Sequence, residues 1–161
     1  MDFMMWATRS LHVFAAVVWL GGLLYMGGVL YPVLSHEKLA ASEHYVRLER
    51  RFIGFVWMCV WTIAITGVFL ALFSPHFVFG RYRSEWDYLL VVKEALYGVM
   101  IVVATRGTIG VRKMEGILRS ASPDELEVRL LAQYRKMVNR RKVNLALGII
   151  VLLLSTRLAA Q

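Results

Sequence analysis

Two stretches of the chain lack charged residues over lengths that suit a membrane-spanning helix. Residues 10–35 and 52–80 contain no Asp, Glu, Lys or Arg. A hydrocarbon core about 30 Å thick requires roughly 20 apolar residues in a helix. Each of these stretches is therefore long enough to cross a bilayer.

Two further stretches are apolar, but one contains charged residues and the other is short. Residues 88–105 are interrupted only by Lys93 and Glu94, and residues 143–156 are apolar but short. The second stretch becomes long enough if Arg157 extends its side chain to one headgroup layer and the three basic residues at 140–142 lie in the other. We therefore count four spans.

The pattern predicts an all-α fold, an integral membrane four-helix bundle in which the whole chain forms one domain. The connection between the third and fourth spans also has helical features. Ser122 is a helix N-cap, with Pro123 at the first position and Glu125 at the third, which is a capping-box start. Leu126, Leu130, Tyr134 and Met137 then fall on one apolar stripe at helical spacing. We expect the helices to extend beyond the membrane on the cytoplasmic side. The predicted spans are about 6–34, 52–74, 88–106 and 141–158, with the helical connection at about 122–140.

Composition and charge agree with a membrane protein and orient it. Hydrophobic residues make up 58% of the chain, above the roughly 45–50% usual in soluble domains. Of the Lys and Arg residues in the connections and at the ends, fourteen fall on one side of the four spans and four on the other. The positive-inside rule then places both termini on the periplasmic side of a bacterial inner membrane. The net charge of +8 is explained by topology and contact with membrane lipid, without a nucleic-acid partner.

His12 is the first anomaly, because it is an imidazole about two turns into an otherwise apolar span. Ionisable residues inside membrane helices are costly and often functional. A neutral imidazole is a good axial ligand for haem iron, and a bundle interior suits a porphyrin. On the same helical face, small Ala16 beside Trp19 would leave a slot next to the ring. The alternative is a histidine that only packs and hydrogen-bonds inside the bundle.

Lys93 is the second anomaly, and the charge-derived orientation places it at the same depth as His12. It would be either a second haem ligand, a catalytic cation for a carboxylate of the cofactor or substrate, or a side chain that extends to the headgroups. His76, in the loop after the second span, is another candidate ligand. Arg9 and Arg83 are candidates to hold haem propionates at the outer interface.

Copper is the competing metal. Met1, Met4 and Met5 lie near the same predicted face as His12 and could offer soft ligands to Cu(I). No cysteine–histidine cluster has the spacing of a zinc site, and no nucleophile elbow or phosphate-binding glycine loop occurs in the sequence.

The spaced His, Trp and Lys resemble the HemJ/CopD group of small four-helix membrane proteins. The first span, "LHVFAAVVWLGG", carries His12 and Trp19 seven residues apart. The second, "LERRFIGFVWMCVWTIAITGVFLAL", has Gly67 near its far end, and the third, "EWDYLLVVKEALYGVMIVV", has Trp86 followed by Lys93. The resemblance covers nearly the whole chain.

The resemblance implies different functions in its two branches. HemJ-like proteins bind b-type haem and are linked to protoporphyrinogen oxidation, and their essential histidine and lysine correspond to His12 and Lys93. CopD-like proteins are linked to copper uptake or tolerance. The expectation is a haem b membrane oxidoreductase with His12 as iron ligand, a homodimer that passes electrons to a quinone or another membrane carrier. The alternative is copper handling without haem.

Overall fold

The computed structural model describes residues 2–36, 43–74 and 85–159, which are helical almost throughout. No strand occurs within these ranges, so the all-α prediction is confirmed. The helices, in chain order, are α1 (Asp2–Tyr25), a π-helical segment (Met26–Leu30), α2 (Tyr31–His36), α3 (Glu43–Leu72), α4 (Glu85–Ser120) and α5 (Pro123–Ala159).

Three continuous helical stretches are long and apolar enough to cross a membrane. They are Phe3–Leu34, Glu43–Leu72 and Glu85–Ser120. Helix α5 is equally long and runs without a break from the predicted cytoplasmic connection into the apolar residues 143–156. Its crossing of the bilayer stays a prediction. Large apolar side chains such as Trp61, Ile65 and Leu153 point outward, as expected where the solvent is lipid.

The four long helices pack in a ring, with α1 and α4 each flanked by α3 and α5. Helices α1 and α4 therefore face each other across the diagonal of the bundle. At one point the crossing of α1 and α5 is close, because a Cβ atom at Gly148 would overlap the side chain of Leu20. Small residues allow membrane helices to approach in this way.

Two groups of buried side chains fill the interior. One group lies nearer to His12 along the first span and includes Trp19, Val60 and Met100. The other lies further along the first span, where it meets the start of α3 and the chain between α4 and α5, and its members from the predicted stripe of α5 are Leu130, Tyr134 and Met137. We call the end of the bundle that carries His12 the His12 end, and the opposite end, which carries Glu49, the Glu49 end.

The π-helical segment changes which residues of the first span face the core. Buried positions follow ordinary helical spacing at Trp19, Leu23 and Met26, but the next are Tyr31 and Leu34. The interval of five from Met26 to Tyr31 is too long for one α-turn of 3.6 residues. One π turn absorbs the extra residue and returns the following side chains to the core.

Deleting Gly28 should therefore leave the bundle folded, since the segment would close as an ordinary α-turn and Tyr31 would keep its place. Deleting the exposed Val17 from regular α1 should instead rotate everything before it by about 100°. We expect a loss of more than about 3 kcal/mol for that variant, because several core side chains are misplaced together. The melting temperatures of the two deletion variants in detergent provide the test. An equal loss of stability in both variants would contradict the π-turn explanation.

Candidate functional site

His12 is held against α3 by a hydrogen bond with a defined direction. Its Nδ1 lies 2.8 Å from Oγ1 of Thr66, and that hydroxyl donates its own proton to the carbonyl oxygen of Thr62 at 2.5 Å. Because the hydroxyl proton is committed to the carbonyl, the oxygen accepts from Nδ1–H of the imidazole. The ring also has a hydrogen-bonding contact with the backbone carbonyl of Ile63. With Nδ1 protonated, the neutral ring carries its lone pair on Nε2, the nitrogen through which it could bind a ligand.

Gly67 provides the space in which the imidazole lies. A Cβ atom at Gly67 would stand 3.2 Å from Cε1 of His12, closer than such contacts usually come. The ring therefore rests directly on the backbone of α3, with Thr66 beside it. A larger residue at this position would push the ring away from the hydroxyl that orients it.

Lys93 reaches the same region from α4, across the diagonal of the bundle. Its ammonium group lies within electrostatic range of the His12 ring, and Glu94 acts on the same ammonium. The side chains of His12 and Lys93 are half-buried, whereas Glu94 is exposed. The two groups that the sequence singled out therefore interact electrostatically, and a shared site between them stays a prediction.

Trp19 forms the next layer below His12 in the bundle interior. It is 3% exposed, and its ring packs edge-on against Tyr97, with ring centres 6.2 Å apart. The Tyr97 hydroxyl donates to the carbonyl of Val60 at 2.6 Å. The indole N–H of Trp19 has no partner among the described residues. Trp19 is a core side chain, and its role in holding a cofactor stays a prediction.

One of the remaining predicted residues, Arg9, lies within the described chain, three residues before His12 on α1. Arg9 is exposed on α1, while His76 and Arg83 lie outside the described residues. The described ranges contain no group of three or more His, Cys, Asp or Glu side chains that could hold a metal ion. Met5 precedes His12 by seven residues, which is about 10.5 Å of helix rise, too far for the two side chains to share one copper ion.

A second polar cluster, at the Glu49 end, was not foreseen from the sequence. Glu49 is fully buried and accepts hydrogen bonds on Oε1 from the hydroxyls of Tyr45 at 2.6 Å and Tyr31 at 3.1 Å. Its Oε2 pairs with the guanidinium of Arg141. Three elements, α2, α3 and α5, thus meet on one carboxylate.

Arg141 is enclosed by rings as well as by its counter-ion. Its guanidinium carbon lies 4.4 Å from the ring centre of Phe52 and 5.5 Å from that of Tyr31, within the range of cation–π attraction. The Tyr134 hydroxyl donates to the carbonyl of Tyr31 at 3.0 Å. Burial, with the Glu49 carboxylate acting in the same direction, raises the pKa of Tyr134, so this hydroxyl stays protonated and able to donate.

The sequence predicts that residues 140–142 lie in a headgroup layer, but the structure buries the side chain of Arg141, which is only 11% exposed; its depth in a membrane stays a prediction. The physical reason is that Glu49 offers a buried counter-charge. A signal for this was available in the sequence, because the apolar stripe of α5 through Tyr134 and Met137 continues at helical spacing to Arg141 and Asn144.

Comparisons with protein-family models, with curated proteins and with solved structures found no match to this chain. The site is therefore interpreted from its own geometry and from the sequence pattern.

The Glu49–Arg141 pair should be costly to break and cheap to remove as a unit. Glu49→Gln leaves the Arg141 cation buried without its counter-ion, and Arg141→Met leaves a buried carboxylate; each should cost about 3–5 kcal/mol. The double variant removes both charges while glutamine keeps an acceptor for the tyrosine hydroxyls. It should therefore cost less than either single variant.

The matched control is Glu43→Gln, which breaks the exposed pair with Arg47 on the same helix and should cost less than about 1 kcal/mol. Unfolding free energies in detergent micelles compare the four variants. Additive losses in the double variant would mean that the two groups do not act as a pair.

Proposed function

We propose that this protein is a haem b-binding redox protein of the membrane, with His12 as the axial ligand through Nε2. The observation that carries the proposal is the hydrogen bond from Nδ1–H of His12 to the Thr66 hydroxyl. Ligating histidines generally donate their other ring N–H to an acceptor, which fixes the tautomer and raises the basicity of the ligand. An imidazole prepared in this way inside an apolar bundle is suited to haem iron.

The neighbouring cation supports the same assignment. Lys93 lies within electrostatic range of His12, in an interior where its charge is poorly solvated. A haem propionate, or a carboxylate of a porphyrin substrate, would supply the negative partner that such a group favours. Lys93 would then bind the carboxylate, or alternatively serve as the second ligand. Arg9 and Arg83 would serve the propionates nearer the interface.

Haem b, when bound, supplies one-electron transfer. The residues of the chain would hold it by one nitrogen, balance its carboxylates and exclude water. The resemblance of the first and third spans to the HemJ/CopD group supports a role in protoporphyrinogen oxidation or in electron transfer to a quinone. The excess of basic residues in two connections supports a bacterial inner membrane with both termini outside. In a homodimer, the second copy would be a further source of the sixth ligand.

Copper handling without haem is the weaker proposal. Met4 and Met5 lie about two helical turns from His12. A copper site needs its ligands to meet at one ion, and this separation works against it. Haem requires one protein nitrogen for its iron and a cation for its carboxylates. His12 would provide the nitrogen and Lys93 the cation.

Wild-type protein purified in detergent should show a Soret band and the reduced α-band of a b-type haem. His12→Ala should remove these bands, since the axial nitrogen is lost, and a pyridine haemochrome assay counts the haem per chain. His44→Ala is the matched control, because His44 is exposed at the start of α3, and it should keep the full haem content. Copper without haem in the wild type would instead support the copper alternative, and the absence of both would overturn the two together.

Thr66→Val should keep the haem but raise its midpoint potential. Without the acceptor at Nδ1–H the imidazole becomes a weaker donor, so the ferric state loses stabilisation relative to the ferrous state. Thr66→Ser should restore the wild-type value. Thr62→Val removes an exposed hydroxyl one turn away and controls for helix effects. Redox titration followed at the α-band measures the four proteins, and an unchanged potential in Thr66→Val would exclude the orienting role of Thr66.

A further inference from the structure

A cavity of about 30 Å³ lies between the four long helices, next to the Glu49–Arg141 pair. Each helix contributes to its wall, for example through Leu23 of α1, Phe52 of α3, Gly107 of α4 and Asn144 of α5. Most of the lining is apolar, and the polar groups come from consecutive turns of α5. The cavity lies far from His12 and does not depend on the proposed haem.

Two polar atoms of the lining residues lack partners within the described chain. One is Nη1 of Arg141 and the other is Oδ1 of Asn144, and both atoms are buried. The first is a donor and the second is an acceptor, so their needs are complementary. Asn144 is 3% exposed. Buried polar groups in native structures are satisfied by protein or by ordered water in the great majority of cases.

Charge and volume decide what occupies the cavity. The charge of Arg141 is already balanced by Glu49 on its other nitrogen, and Arg140, which also lines the cavity, makes an exposed hydrogen bond to the carbonyl of Arg106. The two buried orphan atoms therefore lie in a neutral part of the lining. A cavity of about 30 Å³ exceeds the roughly 10–15 Å³ that a single water molecule needs, so it can hold ordered water. Water both donates and accepts, as the two orphan atoms require.

We propose that this cavity binds an ordered water molecule that accepts from Nη1 of Arg141 and donates to Oδ1 of Asn144. The water gives the buried guanidinium a further hydrogen-bond partner. Its other neighbours are the Glu49 carboxylate at one nitrogen and the rings of Phe52 and Tyr31. It also extends the hydrogen-bonded chain from Tyr45 through Glu49 and Arg141 to Asn144, nearly one helical turn further along α5. The hydrogen-bonded network thus reaches from Tyr31 of α2 and Tyr45 of α3 into the mostly apolar cavity.

Asn144→Leu gives opposite results for a hydrated and a dry cavity. If water is present, leucine displaces it and leaves Nη1 of Arg141 unpaired, so the melting temperature should fall by several degrees. If the cavity is dry, leucine removes an unsatisfied acceptor and fills empty space, so the melting temperature should rise. Asn139→Leu, at an exposed position of the same helix, is the control and should leave it nearly unchanged.

A crystal or electron cryo-microscopy map at about 2 Å or better provides the direct measurement. Density for one water within hydrogen-bond distance of both Nη1 of Arg141 and Oδ1 of Asn144 is the expected result. An empty cavity, or density for a detergent or lipid atom, would overturn the proposal, as would a higher melting temperature for Asn144→Leu. None of these outcomes bears on whether His12 binds haem, so the two proposals stand or fall separately.

Discussion

Polar side chains buried inside this bundle have to find their partners within the protein, because neither an apolar core nor lipid offers hydrogen bonds. The Glu49 carboxylate is the clearest case, since it is fully buried and is reached by two tyrosines and by Arg141. Only the simultaneous presence of α2, α3 and α5 satisfies it. The pair therefore defines how the helices meet, even though a buried ion pair contributes little net stability by itself.

The same constraint acts at the His12 end, with a different outcome. There the imidazole uses one nitrogen on Thr66 and retains the other, while Lys93 supplies a charge without a buried carboxylate to balance it. One cluster is closed, with its charges neutralised inside the chain. The other is more open: Thr66 uses one imidazole nitrogen, and the carboxylate that acts on Lys93 is the exposed Glu94. This difference is the reason for proposing chemistry at the His12 end and a structural role for the Glu49 end.

Features that depend on neighbouring residues could be predicted from the sequence, whereas contacts between distant residues could not. Charge-free length and helical period belong to neighbouring residues, so the helices were foreseen, as was the stripe Leu130–Tyr134–Met137 that the structure buries. The meeting of Glu49 with Arg141 joins residues 92 positions apart, and no local pattern specifies it. The π turn was missed because glycines in a membrane helix have several explanations, and only the buried positions around it distinguish them. His12 and Lys93 could be singled out because ionisable residues are rare in an apolar span. Thr66 could not be singled out, because threonine is common in such spans.

The two polar clusters are energetically separate, and distance is the reason. From His12 to Tyr31 the first span advances by nineteen residues, which is about 28 Å of rise at roughly 1.5 Å per residue. Two unit charges at that separation interact by only about 0.6 kcal/mol at an effective dielectric constant near 20. The Glu49–Arg141 pair is neutral overall, so its effect on a charge at His12 or Lys93 is smaller still. The packed layer of Trp19, Val60 and Met100 between them contains no charge to relay it. Changes at the Glu49 end should therefore act on the ligand role proposed for His12 only through the fold, so that a loss of stability and a loss of the proposed chemistry can be assigned to different ends of one bundle.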